Sequence, residues 1–153
     1  MFIELSHSAS ENSASEGLAG ISQFTNLKGM VCESVGPMRH EVSVPFHDSQ
    51  VRGAAILIQT GWDQRWGTDA YFEPGPFLGE HLIFRAIRSG VRLLGVDFPA
   101  SDTASGETRL ITTGKIPIVE NLKDLASLPR VGFRFTAIRL EGSLVRAVAE
   151  ITR

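Results

Sequence analysis

Thr60-Gly61-Trp62-Asp63-Gln64-Arg65-Trp66-Gly67-Thr68-Asp69-Ala70-Tyr71-Phe72 is the stretch on which the reading of the fold turns. It leaves Ala54-Ala55-Ile56-Leu57-Ile58, apolar at every position, the pattern of a strand covered on both faces. Downstream, Leu78, Leu82 and Ala86 recur every four residues with Ile83 and Ile87 beside them, while His81, Arg85 and Arg88 fall on the other side. That spacing predicts an amphipathic helix, with Gly90 as its C-terminal cap and the two arginines at the negative end of the dipole. Val91-Arg92-Leu93-Leu94-Gly95-Val96-Asp97-Phe98 reads as the next strand, stopped by Pro99. Strand, helix and strand in this order predict a βαβ unit with parallel strands.

Ile116 to Val119 is a further apolar run. Phe133, Phe135 and Ala137 then alternate with Arg134 and Thr136, and Val145, Ala147, Ala149 and Ile151 alternate with Arg146, Val148 and Glu150. With Glu141-Gly142-Ser143 between them, these two runs predict a half-exposed antiparallel pair. Before Val51 the pattern is weaker: short apolar pieces at Phe2–Leu5, Gly29–Cys32 and Val42–Phe46 surround a Ser-, Ala-, Gly- and Glu-rich stretch over 8–20 that reads as a loop. The expectation is one α/β domain over 1–153 with a mixed sheet.

A chain of 153 residues, 42% apolar and 21% charged, buries a core without staples. A formal charge of −2 and scattered Lys and Arg argue against nucleic acid or an anionic membrane as partner. The lone Cys32 excludes an internal disulfide and a cysteine-rich zinc site. The start Met1-Phe2-Ile3-Glu4-Leu5 lacks the features of a secretory signal, and the expected location is cytoplasmic.

In α/β sheets, ligands bind beyond the carboxyl ends of strands. Three loops qualify: Thr60 to Phe72, Pro99 to Thr108, and the turn after Glu120. Trp62, Trp66, Tyr71 and Phe72 are candidates to line a pocket, although such clusters more often close a core or an interface. Asp97 and Glu120 each end an apolar strand, where a carboxylate most often caps the following loop and less often serves a ligand or a metal. His40 or His47 with Asp48 has the donor types of a zinc or manganese site, but no two histidines stand at a tight ligand spacing. Ser6, Ser101 and Ser105 lack the surroundings of a serine nucleophile.

Taken together, Thr60-Gly61-Trp62, Arg65 to Thr68, Ala70-Tyr71-Phe72, Gly95-Val96-Asp97, Ile116 to Leu122, Leu125 to Pro129 and Gly132 to Phe135 resemble the cyclase family of metal-dependent hydrolases, which includes bacterial kynurenine formamidases. Phe2 to His7 resembles that family's opening strand. The resemblance covers 51–153 well and implies a diverged, shortened part over 1–50. It implies a swivelling β/β/α fold, a homo-oligomer, and hydrolysis of small amides or lactones such as N-formylkynurenine by zinc or manganese held on histidines and carboxylates. Glu120 matches the family's metal-site glutamate, but the histidine twelve residues before it is Thr108 here.

The family signature His-x-Gly-Thr-His-x-Asp-x-Pro-x-His has its best counterpart in Pro37 to His47. There Pro45 and His47 match, and Glu41, Ser43 and Pro37 replace metal-site residues. A second alignment instead places Leu27 to Val31 on a later family strand and deletes the signature. His47 thus becomes the candidate catalytic residue and Glu120 with Glu41 the candidate metal ligands. Two readings follow. In the first the chain lacks a metal, is inactive on the usual substrates, and keeps its scaffold to bind a small molecule or to oligomerise. In the second a site rebuilt from Glu120, His47, Glu41 and Asp97 or His40 still hydrolyses a small amide or lactone. The count of missing ligands favours the first.

Overall fold

The computed structural model describes residues 1–7, 24–34, 41–101, 107–113 and 116–151. The serine-rich stretch, His40 and Ser105 lie outside them.

Among the described residues, eight strands form one sheet, and one α-helix packs on a face of it. The strands are β1 (Phe2–Glu4), β2 (Leu27–Glu33), β3 (Ala55–Gln59), β4 (Leu93–Val96), β5 (Arg109–Thr113), β6 (Ile116–Glu120), β7 (Phe133–Glu141) and β8 (Leu144–Ile151); α1 is Glu80–Arg88, in the connection from β3 to β4. The spatial order is β1-β8-β5-β6-β4-β3-β2-β7, and β7 also pairs with β8. Seven strands therefore close into a barrel-like ring, a closure that the linear pattern does not display. One edge of β8 pairs with β7, and β1 and β5 share the other, with Glu4 opposite Val148 and Arg109 opposite Leu144.

Two apolar clusters explain the sequence patterns. Ala55, Leu57, Leu93, Val119, Phe135 and Ala147 contribute to one, drawn from alternate positions of the ring's strands. Ile56, Ile58, Leu94, Val96 and Ile118 turn to the opposite side of their strands and pack with Leu82 and Ala86 of α1 in the other. This double coverage is why β3, β4 and β6 are apolar at consecutive positions, while β7 and β8 alternate. β2, β3, β4 and β6 run parallel as neighbours, so Thr60, Asp97 and Asn121 emerge at the same rim of the ring. No described helix is long and apolar enough to cross a membrane.

Candidate functional site

Asp97 leaves β4 as a buried carboxylate and accepts from the backbone N–H groups of Thr60, at 2.9 Å, and Gly61, at 2.8 Å. The Thr60 hydroxyl donates to its second oxygen. Gly61 has φ +86°, a left-handed conformation that glycine adopts without steric cost, and this aims its N–H at the carboxylate. Burial pushes the Asp97 carboxyl up to about 6, against the opposing pull of the Thr60 and Gly61 bonds. The acid therefore anchors the start of the aromatic loop.

One strand over, Glu120 is fully buried at the end of β6. Its Oε2 accepts from the Ala100 N–H at 2.7 Å and the Ser101 N–H at 2.9 Å, and Oε1 accepts from the Ser101 hydroxyl at 2.8 Å. Asn121 follows with φ +61°, its Nδ2 donating to the Glu107 carbonyl and its Oδ1 accepting from the Tyr71 hydroxyl. Thr108 donates to the Asn121 carbonyl at 2.8 Å and accepts from the His7 N–H at 2.9 Å. The His7 ring stacks on Trp66 at 4.5 Å, nearly parallel, and its Nε2 is buried with no hydrogen-bond partner among the described residues. Burial, seconded by Lys123 and opposed by Asp124, lowers the His7 imidazole to about 4, so it is neutral at pH 7.

The aromatic loop contributes four rings with different fates. Trp62 is buried, donates its indole N–H to the Tyr71 carbonyl at 3.0 Å, and carries the Arg65 guanidinium 4.1 Å from its ring centre. Tyr71 is buried, and burial together with Asp97 and Glu120 raises its phenol, keeping it a neutral donor. Phe72 stands edge-on to Tyr71 and is 55% exposed. Trp66 faces His7 rather than the others. Trp62 and Phe72, with Pro76, Phe77, Pro99 and Ser101, line a cleft of about 510 Å³. Gly75 lets Trp62 seat there: a Cβ at Gly75 would lie 2.6 Å from the indole.

The family model for cyclases matches residues 38–103 of this chain. Over those residues the chain resembles the cyclase family. Similar solved structures include isatin hydrolase A from Labrenzia aggregata bound to benzyl benzoate, 17% identical with a TM-score of 0.63 over 88% of this chain and 64% of that one. Another is isatin hydrolase A from Ralstonia solanacearum, 18% identical, TM-score 0.60, over 88% and 63%. A predicted metal-dependent hydrolase from Bacillus stearothermophilus is 11% identical, TM-score 0.55, over 97% and 86%. At such identities the likeness is one of fold, and the chain spans about 64% of the isatin hydrolase from Labrenzia aggregata. No curated protein matches it.

The metal that the cyclase family implies needs converging donors with free lone pairs. Among the described residues no three His, Cys, Asp or Glu side chains converge in that way. Glu120, which the resemblance aligned with a metal-site glutamate, engages both oxygens with the 100–101 backbone and hydroxyl, and Thr108, aligned with a histidine, stands as a hydroxyl tie. From Glu41 to His47 burial alternates, with Val42, Val44 and Phe46 turned into the core and Glu41, Ser43 and His47 turned outward. Glu41 lines one hollow with His81 and Arg85, and His47 another with Met30 and Arg130; neither lines the cleft at Ser101. The described residues do not fit the metal. Sequence reasoning passed over Asn121 and the tie from His7 through Thr108; an asparagine directly after a buried strand, the residue type that best tolerates left-handed backbone after glycine, was the available signal.

Proposed function

We propose that this chain is a cyclase-family scaffold that binds a small molecule in the cleft beside Ser101 and does not hydrolyse the amides and lactones on which the family acts. The observation that carries the reading is the engagement of both Glu120 oxygens. A carboxylate receiving two N–H groups and a hydroxyl within 2.9 Å has three of its roughly four acceptor sites filled, and turning it to a metal would leave the Ala100 and Ser101 N–H groups unsatisfied. Thr108 supports it, since threonine is a poor substitute for an imidazole at a zinc or manganese site. Assembly of identical copies, implied by the family resemblance, belongs to the same proposal and is checked by sedimentation.

Metal analysis of protein purified without chelators, with titration of zinc and manganese and assays on N-formylkynurenine and isatin, is the direct test. Substoichiometric metal and no turnover are expected. Stoichiometric metal with metal-dependent turnover that Glu120→Gln abolishes would replace this reading with that of a hydrolase working through a rebuilt site.

A further inference from the structure

We infer that the cleft selects organic cations, specifically a small ammonium group carried on an apolar or aromatic body, and rejects carboxylates and phosphates. The inference rests on the reading of the cleft as a binding site and adds the charge class of its ligand.

Three observations carry it. The first is the lining. Among the described residues, Phe72 and Phe77 present exposed rings beside the buried Trp62, Glu73 is the charged one that lines the cleft, and no Lys, Arg or His lines it. Ring faces and a carboxylate together attract ammonium groups, and more strongly as water is displaced.

The second is the fate of the backbone donors at this rim. An anion bound at the ends of parallel strands is ordinarily held by loop N–H groups. Here those of Thr60 and Gly61 are consumed by Asp97, and those of Ala100 and Ser101 by Glu120. The protein's own carboxylates occupy the places an anionic ligand would take, and Glu120 sits one hydrogen bond behind the Ser101 that lines the cleft. Arg65 is the cation beside this region, but it covers Trp62 and is not a lining residue.

The third is rigidity. Pro74 and Pro76 flank Gly75 in the wall, and proline fixes φ, so less conformational freedom is lost when a ligand is bound. Phe72 and Phe77 are 55% and 52% exposed, which places two large rings at the mouth where a cation would enter.

The test is calorimetry, paralleled by tryptophan fluorescence, with benzyltrimethylammonium, benzyl alcohol and benzoate as probes on the full chain. The ammonium compound is expected to bind at least about tenfold more tightly than benzoate, with benzyl alcohol between them. Phe77→Leu, at an exposed ring whose loss leaves the core intact, should weaken the ammonium compound about fivefold, and Glu73→Gln about threefold. Benzoate binding as tightly as the ammonium compound, no binding of either, or ammonium binding indifferent to Phe77→Leu would each overturn the inference. Metal uptake and amide hydrolysis in protein that still prefers the ammonium compound would overturn the proposed function and leave the charge selectivity standing.

Discussion

Ser101 is held by Glu120 twice, through its backbone N–H at 2.9 Å and its hydroxyl at 2.8 Å. A carboxylate accepts all three bonds; a carboxamide keeps the two N–H groups on its oxygen only if the Ser101 hydroxyl turns to accept from its NH2. Glu120→Gln is therefore expected to cost about 1 kcal/mol or less, whereas Glu120→Leu, which leaves both N–H groups without an acceptor, is expected to cost about 2–3 kcal/mol. Thermal or urea unfolding measures both. A Glu120→Leu variant as stable as the parent would mean that the carboxylate is not a structural tie.

Thr108→Val removes the hydroxyl that joins the His7 N–H to the Asn121 carbonyl while keeping nearly the same volume. Two buried polar groups then lose a partner, and a loss of about 1–3 kcal/mol is expected. Thr108→His, which restores the family residue, is expected to lose comparable stability and to gain no measurable zinc affinity by titration.

His7 and Asp97 impose opposite pH dependences. The His7 imidazole, lowered to about 4 from 6.5, resists protonation in the folded chain while the unfolded chain takes up the proton, so its contribution is full above pH 6.5 and is lost as pH falls toward 4. The Asp97 carboxyl, raised to about 6 from 3.8, holds its proton longer when folded, so its contribution is full below pH 3.8 and is lost as pH rises toward 6. In the parent the two slopes largely offset each other between pH 4 and 6. His7→Phe, which keeps a ring against Trp66, should expose the Asp97 slope: stability falling by about 2 kcal/mol between pH 4 and 6. Unfolding midpoints across that range decide it, and a flat profile in His7→Phe would contradict the assignment.

Gly75→Val places a branched side chain where even a Cβ would be 2.6 Å from the Trp62 indole. The indole must shift, at about 1–3 kcal/mol, and the cleft loses its floor. A changed tryptophan emission together with loss of benzyltrimethylammonium binding is the expected pair of signs.

Much of this architecture was legible in the chain. The four-residue recurrence of Leu78, Leu82 and Ala86 appears as α1 over Glu80–Arg88 with Leu82 and Ala86 buried, because a single helix on one face of a sheet must show one apolar stripe. The alternation of Phe133 to Ala137 against Val145 to Ile151 appears as the β7–β8 pair, with Phe135 opposite Ala149. Closure of the ring was not legible, because it depends on β7 pairing with β2, where Leu27 stands opposite Phe135 more than a hundred positions away. At the site, the ends of β4 and β6 suggested that Asp97 and Glu120 cap the loops that follow them; each instead ties the loop after a neighbouring strand, Asp97 that after β3 and Glu120 that after β4, because parallel neighbours bring those loops to one rim. The tie from His7 through Thr108 to Asn121 spans the length of the chain, and no local period records it.

The closure of β8 onto both β7 and the β1–β5 side has a consequence for how this chain can change over time. A ring of strands carries its own cohesion in backbone bonds and apolar contacts, without help from the rim. Residues on that rim can then be exchanged one by one while the frame endures, so the loops at the strand ends are free to vary in a way that the strands themselves are not.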